Sequence, residues 1–311
     1  MKADMKILAV MLFVASFAMS CGSSAENKKD KKKLSYEQYE LNRPVKSIDV
    51  RTYEASSKFG EVIKGDPTYG NYLAEFDKAG NLIRKTEYFS DGDVYLVHMY
   101  KYDEQNNQIE EMSYSWEGEL TALLKYEYND AGKMVKYFRY DEDGNVDFFG
   151  ENEYEDEYLV RSRSVRYDED GATDEEEWVF NRDGKMLLES SWYMNGKLVN
   201  VYKFSKFEEN CVVEGVEYDA DGVKLKEFYE ESDEHGVKLI KSHDFTDGSE
   251  SEYRVKRNDR GHIVYIYDSQ EEHKETYYEY EYDSKGNWTK QVKLEGVMKK
   301  PVEIIEREIK Y

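Results

Sequence analysis

Residues 120–145 read LTALLKYEYNDAGKMVKYFRYDEDGN, and this stretch decides the fold. Leu120, Ala122, Leu124, Tyr126 and Tyr128 share one face, while Thr121, Lys125 and Glu127 take the other. A period of two belongs to a strand, and helical spacing fits worse. Gly132 interrupts the alternation, and Tyr140-Asp141 then leads into Gly144-Asn145. The stretch therefore predicts two antiparallel strands and two tight turns.

The same unit recurs along the chain. One series of turn residues falls at Gly80, Asn106, Gly132, a slot near Glu157, Gly184, Asn210, Gly236, Gly261 and Gly286. A second falls at Gly92, Gly118, Gly144, Gly171, Gly196, Gly222, Gly248, a slot near Glu272, and Gly296. Both step by 24 to 27 residues and interleave by half a period. Asparagine fills two of the slots that lack glycine, as a backbone requirement for positive φ predicts. The turns share a local code: Phe76-Asp77 precedes Gly80-Asn81, Tyr218-Asp219 precedes Gly222, and Tyr282-Asp283 precedes Gly286-Asn287. Aspartate at the first position accepts backbone N–H bonds and glycine at the fourth takes the left-handed conformation, a type I turn with a glycine bulge. Gly80, Gly132, Gly144, Gly184, Gly222 and Gly286 are thus structural. Pairs such as Asp141/Asp143 and Asp219/Asp221 lack the distant bidentate glutamate of a calcium loop, and turn chemistry accounts for them.

Nine repeats over residues 71–297 give eighteen strands. N-terminal strands at 45–70 and a closing strand at 302–311, VEIIEREIKY, add to them within one domain, 35–311. Open sheets of this size curl, split or close. A mean hydropathy of −0.90 with 36% charged residues leaves little for a thick core, yet 29 tyrosines argue against disorder. The expectation is an all-β fold: tandem hairpins in a long twisted β-meander, superhelical or a partial shell, with a closed barrel as the alternative. An acidic two-layer globule is the blander reading.

The amino terminus reads as an export signal over residues 1–20. Lys6 precedes the apolar run Ile7–Ala15, and small residues lead to Cys21. Ala18-Met19-Ser20-Cys21 resembles a bacterial lipobox, with Ala18 where leucine is usual. The resemblance implies cleavage before Cys21 and acylation of it, palmitate included. Residues 21–34 are polar and lysine-rich, a flexible tether. The protein is then expected lipid-anchored in the cell envelope, at the outer membrane, on its periplasmic or surface face. Cys211 has no partner once Cys21 is acylated, so the fold uses no disulfide.

The aromatic-Asp-x-x-Gly punctuation resembles the YD repeat of bacterial RHS proteins. Residues 280–288, YEYDSKGNW, with the closing 307–311, REIKY, resemble the final unit of RHS-like secreted lipoproteins. The likeness covers most of residues 70–311 and implies a continuous β-meander. No C-terminal toxin or autoproteolysis segment follows, so toxin encapsulation is not implied.

No catalytic pattern stands out. His98, His235, His243, His262 and His273 show no compact ligand spacing, Gly60–Gly65 lacks phosphate-loop spacing, and no cofactor or metal is implied. A net charge of −23 argues against nucleic acid. Aromatics remain: Trp116, Trp178, Trp192, Tyr278, Tyr280 and Trp288 are the candidate binding surface, although cross-strand packing explains many aromatics. The reading is a non-enzymatic, envelope-anchored binding or scaffold lipoprotein displaying a repeat surface to a protein or glycan. An immunity factor capturing a toxin and a purely structural envelope component are the other classes.

Overall fold

The computed structural model describes residues 35–168, 171–184, 186–208, 211–232, 236–272 and 274–311. The export signal, Cys21 and the tether lie outside these residues, as do His235 and His273. A four-residue helix, α1 (Ser35–Gln38), precedes the strands. They begin with β1 (Ser47–Lys58), β2 (Glu61–Pro67), β3 (Asn71–Phe76), β4 (Leu82–Tyr88), β5 (Val94–Tyr102), β6 (Gln108–Ser115) and β7 (Leu120–Tyr128). Next come β8 (Met134–Tyr140), β9 (Val146–Glu155), β10 (Tyr158–Asp168), β11 (Gly171–Asp183), β12 (Met186–Met194), β13 (Lys197–Glu208) and β14 (Cys211–Asp219). The last are β15 (Lys224–Ser232), β16 (Val237–Asp244), β17 (Glu250–Arg257), β18 (Ile263–Asp268), β19 (Glu275–Tyr282), β20 (Trp288–Glu295) and β21 (Lys300–Lys310).

All 21 strands belong to one sheet, and sequence neighbours pair antiparallel from β3 to β9, from β11 to β18 and from β19 to β21. The all-β, antiparallel class is as expected; the ends of the sheet are not. β1 pairs on one side with β3, Ser47↔Glu75 to Val50↔Tyr72, and on the other with β21, Ser47↔Lys310 to Glu54↔Glu303. The pairing that runs on to β21 thus returns to β1, which is the connectivity of a closed barrel, while β2 pairs with the far part of β1, Tyr53–Lys58. This is the closed-barrel alternative, and it replaces the open superhelix or partial shell. The physical reason is the edge: an open meander leaves a row of unpaired N–H and C=O groups on its closing strand, and β1 satisfies them over eight residues.

The turn code behaves as read. Asp77 Oδ1 accepts from the backbone N–H of Ala79 at 2.8 Å and Asn81 at 2.9 Å, while Gly80 N donates to Asp77 O at 3.1 Å. The β3–β4 ladder shifts register at the turn, between Glu75 and Phe76, with Ile83 the extra residue on β4. Gly80, Gly132, Gly144, Gly184, Gly222 and Gly286 all sit at φ between 57° and 91°, and Asn106 at 60°. With its Oδ1 held by backbone donors, the turn carboxylate serves the turn itself. The asparagine after the positive-φ residue adds a bond that the code did not foresee: Asn81 Nδ2 donates to Asp77 Oδ2 at 3.0 Å, and Asn107 Nδ2 to Asp103 Oδ2 at 2.7 Å.

By compactness the chain forms two units. Of the described residues, a terminal unit holds 35–151, Ser164–Thr173 and Glu275–Tyr311, and a middle unit holds Asn152–Arg163 and Asp174–Lys274. In the terminal unit the segment 35–46 lies on one face of the sheet. Leu41 and Val45 pack there with Ile48, Val50, Ala74, Phe76 and Leu82, all buried. Tyr36 N donates to Gly80 O, and Asn42 bonds both Asn287 Oδ1 and Gly286 O at 2.8 Å. The segment therefore clamps the sheet at the end where the Gly80 and Gly286 turns lie.

Candidate binding surfaces

The face covered by residues 35–46 is not uniformly apolar. Register places Tyr72 and Glu87, Ala74 and Lys85, Lys85 and His98, His98 and Ser113, and Tyr100 and Glu111 opposite one another on that face. Lys85 Nζ meets Glu87 at 2.5 Å, His98 Nδ1 and Ser113 Oγ share a hydrogen bond at 2.9 Å, and His98 lies 3.7 Å from Glu87 and from Glu111. Burial raises the hydroxyls of Tyr39 and Tyr100 well above the ordinary tyrosine range, with the Glu87 and Glu111 charges adding to it. Tyr126, beside Glu111, is pushed up to about 12, again chiefly by burial. These groups pair with one another across the covered face.

The opposite face is charged too: Arg51–Asp49 at 2.7 Å, Lys101–Glu110 at 2.6 Å and Lys64–Glu306 at 2.7 Å cross it. A lipid-facing barrel wall needs a continuous apolar band, and each mid-strand Arg or Lys on it costs about 2–4 kcal/mol. Among the described residues, charge pairs lie on both faces of this unit's sheet.

The six aromatic candidates divide into three places. Trp116 lies on the β6–β7 turn and is 67% exposed. Tyr278, Tyr280 and Trp288 adjoin one another in the terminal unit: Tyr280 meets Trp288 edge to face at 6.0 Å, and Gln291 Nε2 donates to Tyr280 OH at 2.8 Å. Burial raises Tyr280 to about 12. Trp288 is not a surface residue. It is buried, its Nε1 donates to Glu40 Oε2 at 2.8 Å, and the Arg307 guanidinium covers its ring at 4.0 Å. Its removal from the candidate surface follows from residues 35–46, whose Glu40 and Tyr39 carbonyl hold Trp288 and Arg307 in place. Burial also lowers the Arg307 pKa, since only Nη2 is bonded while Nε and Nη1 have no partner.

Trp178 and Trp192 come together in the middle unit. They face each other across β11 and β12, with ring centroids 6.0 Å apart and planes 15° from parallel. Tyr202 on β13 lies 5.8 Å from Trp178, and Phe180 lies 6.4 Å from it, both nearly coplanar in orientation. Tyr202 and Phe180 are buried; both tryptophans stay partly exposed. Beside them, Asn200 stands opposite Trp192 and donates to Glu217 Oε1, which also accepts from Tyr202 OH at 3.1 Å. Burial raises the Glu217 carboxyl, outweighing those bonds and the Lys226 charge. Trp192 Nε1 is a buried donor without a hydrogen-bond partner. Sequence reading found the tryptophans; it missed Asn200, Glu217 and Tyr202, whose only signal is cross-strand register.

No protein-family model and no curated protein matches the chain. Among solved structures it is similar to a porin-like protein from Bacteroides uniformis ATCC 8492, at 12% identity and a TM-score of 0.36, over 86% of this chain and 97% of that one. A TcdB2-TccC3-Cdc42 complex is similar at 10% identity and a TM-score of 0.16, over 78% of this chain and 19% of that one.

Proposed function

We propose that the chain is a non-enzymatic binding lipoprotein of the RHS/YD-repeat kind, anchored by Cys21 in the bacterial envelope at the outer membrane, and that it presents its middle unit to a glycan. One observation carries this reading: the partly exposed Trp178–Trp192 pair beside Tyr202, Asn200 and Glu217. Pyranose rings offer C–H faces that lie against indole, and hydroxyls that bond to amides and carboxylates. Charged pairs on both faces of the terminal sheet support a body held outside the bilayer by its anchor.

The test is calorimetric titration of the protein with soluble envelope polysaccharides and their oligosaccharides. The expected result is saturable binding to at least one, weakened about tenfold or more by Trp192→Ala, equivalent to about 1.4 kcal/mol. Binding that survives Trp178→Ala and Trp192→Ala together would remove the site, and failure to bind any glycan would remove the reading.

A further inference from the structure

We infer that the terminal unit carries a second membrane-contact element, separate from the glycan reading and from Cys21: the β1–β2 and β20–β21 turns dip into the interfacial zone of an anionic phospholipid bilayer. β1 ends, and β21 begins, at the same end of the sheet, because the two run antiparallel with Glu54↔Glu303 as their last pair. Residues 35–46 clamp the opposite end. From the free end project Phe59, 97% exposed, Val297, 82%, and Met298, 90%.

The backbone at Phe59 is the telling feature. Phe59 and Gly60 have φ of 54° and 84°, the two positive values of a two-residue hairpin turn. That first position favours asparagine or glycine, and a bulky side chain is strained there. Its ring faces solvent, with Lys58 Nζ 5.9 Å from the centroid. A strained, fully exposed aromatic points to a use outside the folded chain. The β20–β21 turn adds exposed apolar side chains without that strain: it closes with Lys299 N to Gly296 O at 2.8 Å, positive φ falls on Gly296 and Lys299, and Val297 and Met298 face outward.

Charge selects the occupant. Lys58, Lys299 and Lys300 flank these side chains, and among the described residues none of the three is in an ion pair. The chain as a whole carries −23. Three lysines without an ion pair among the described residues stand round the apolar tips, Lys58 Nζ 5.9 Å from the Phe59 ring centre and Lys299 Nζ 4.4 Å from that of Tyr277. On a protein otherwise acidic they match a surface of anionic headgroups over acyl chains. Lysine stems can lie along the apolar layer while their ammonium groups stay at the phosphates.

The experiment places tryptophan at the tips of the full chain, Phe59→Trp and Met298→Trp separately, with Glu104→Trp at the opposite end as control. The emission each substitution adds over the native protein is read with vesicles of phosphatidylcholine containing phosphatidylglycerol, with and without brominated lipid. Expected are a blue shift and bromine quenching at 59 and 298 and neither at 104. Phe59→Asn should cut the quenching at Met298→Trp to less than about half, while leaving the unfolding midpoint unchanged or higher, because asparagine suits the turn. Unchanged emission at both tips overturns the inference. So does an equal shift with pure phosphatidylcholine, or a shift produced by soluble envelope proteins without lipid, which would make the tips a protein-docking site.

Discussion

Tyr128 donates its hydroxyl to the carbonyl oxygen of Gln108, 2.7 Å away and 20 residues back in the chain. Tyr102 does the same to Leu82, at 2.8 Å and the same separation. In both cases the tyrosine immediately precedes a turn, and the carbonyl belongs to the residue just after the previous turn's Asn. The recurring aromatic of the repeat is therefore a strut between successive hairpins, and its partner in the code, Asp or Asn, holds its own turn.

Tyr128→Phe should then lower stability by about 1 kcal/mol, the usual net worth of one such bond. The ring still packs, so Tyr128→Ala should cost clearly more. Urea unfolding of the three proteins checks this. Equal midpoints for wild type and Tyr128→Phe would mean that the strut carries no load.

Turn backbone predicts a second contrast. Gly132 has φ of 72°, and a Cβ built there would find its nearest neighbour, Asn107 Oδ1, at an ordinary 3.7 Å. Space is available, so the cost of Gly132→Val comes from conformation alone. It should exceed that of Lys133→Val by at least about 1 kcal/mol. Matching denaturation midpoints would contradict the turn geometry.

Much of this architecture was legible because it is local. Phe76-Asp77…Gly80-Asn81 encodes its turn within six residues, and alternation at Leu120–Tyr128 names the strand and its face. Closure was not legible. The β1–β21 seam joins Ser47 to Lys310, and no periodic signal marks partners so far apart. Low hydropathy suggested a thin array; the structure shows instead that Lys85, Glu87, His98 and Glu111 occupy the covered face, where apolar residues were expected of a core. Aromatic residues told of the Trp178–Trp192 pair but not of its polar neighbours, which register alone supplies. Trp288 misled because its burial depends on Glu40 and Arg307, at opposite ends of the sequence. Phe59-Gly60 was passed over in looking for a phosphate loop, although phenylalanine where a hairpin prefers asparagine was a readable anomaly.

Cys21→Ser should abolish uptake of labelled palmitate and shift the protein from membrane to soluble or uncleaved precursor fractions. The motive is the apolar run ending at Ala18-Met19-Ser20-Cys21. Identical acylation and fractionation of the two forms would rule out the anchor.

Glu217 gives a pH prediction with a definite sign. Burial raises its carboxyl above the ordinary 4.5, so the native form holds the proton more tightly than the unfolded chain does. The stability this contributes is fully present below 4.5 and is lost as pH rises through the folded value. Glu217→Gln keeps the shape and can still accept from Tyr202, but it does not titrate. Its stability relative to wild type should therefore improve steadily between pH ~4 and pH ~7. A difference independent of pH would show that Glu217 is solvated as in the unfolded chain.

The grip of residues 35–46 on the sheet can be read from a pair of glycines. Gly80 and Gly92 have nearly the same backbone, φ of 91° and 96°. Replacing either with alanine incurs the same conformational strain, about 1 kcal/mol or somewhat more. Their surroundings differ. A Cβ at Gly92 meets open space, whereas one at Gly80 falls 2.5 Å from Tyr36 Cδ1 and 3.0 Å from Cε1. Tyr36 would have to move, and its N–H bond to Gly80 O ties the ring's position to the turn. Gly80→Ala should therefore cost about 1–3 kcal/mol more than Gly92→Ala, the range for overpacking. It should also speed proteolytic cleavage within residues 35–46, while Gly92→Ala leaves that rate unchanged. Equal stabilities and equal cleavage rates would mean that the segment does not rest on the Gly80 turn.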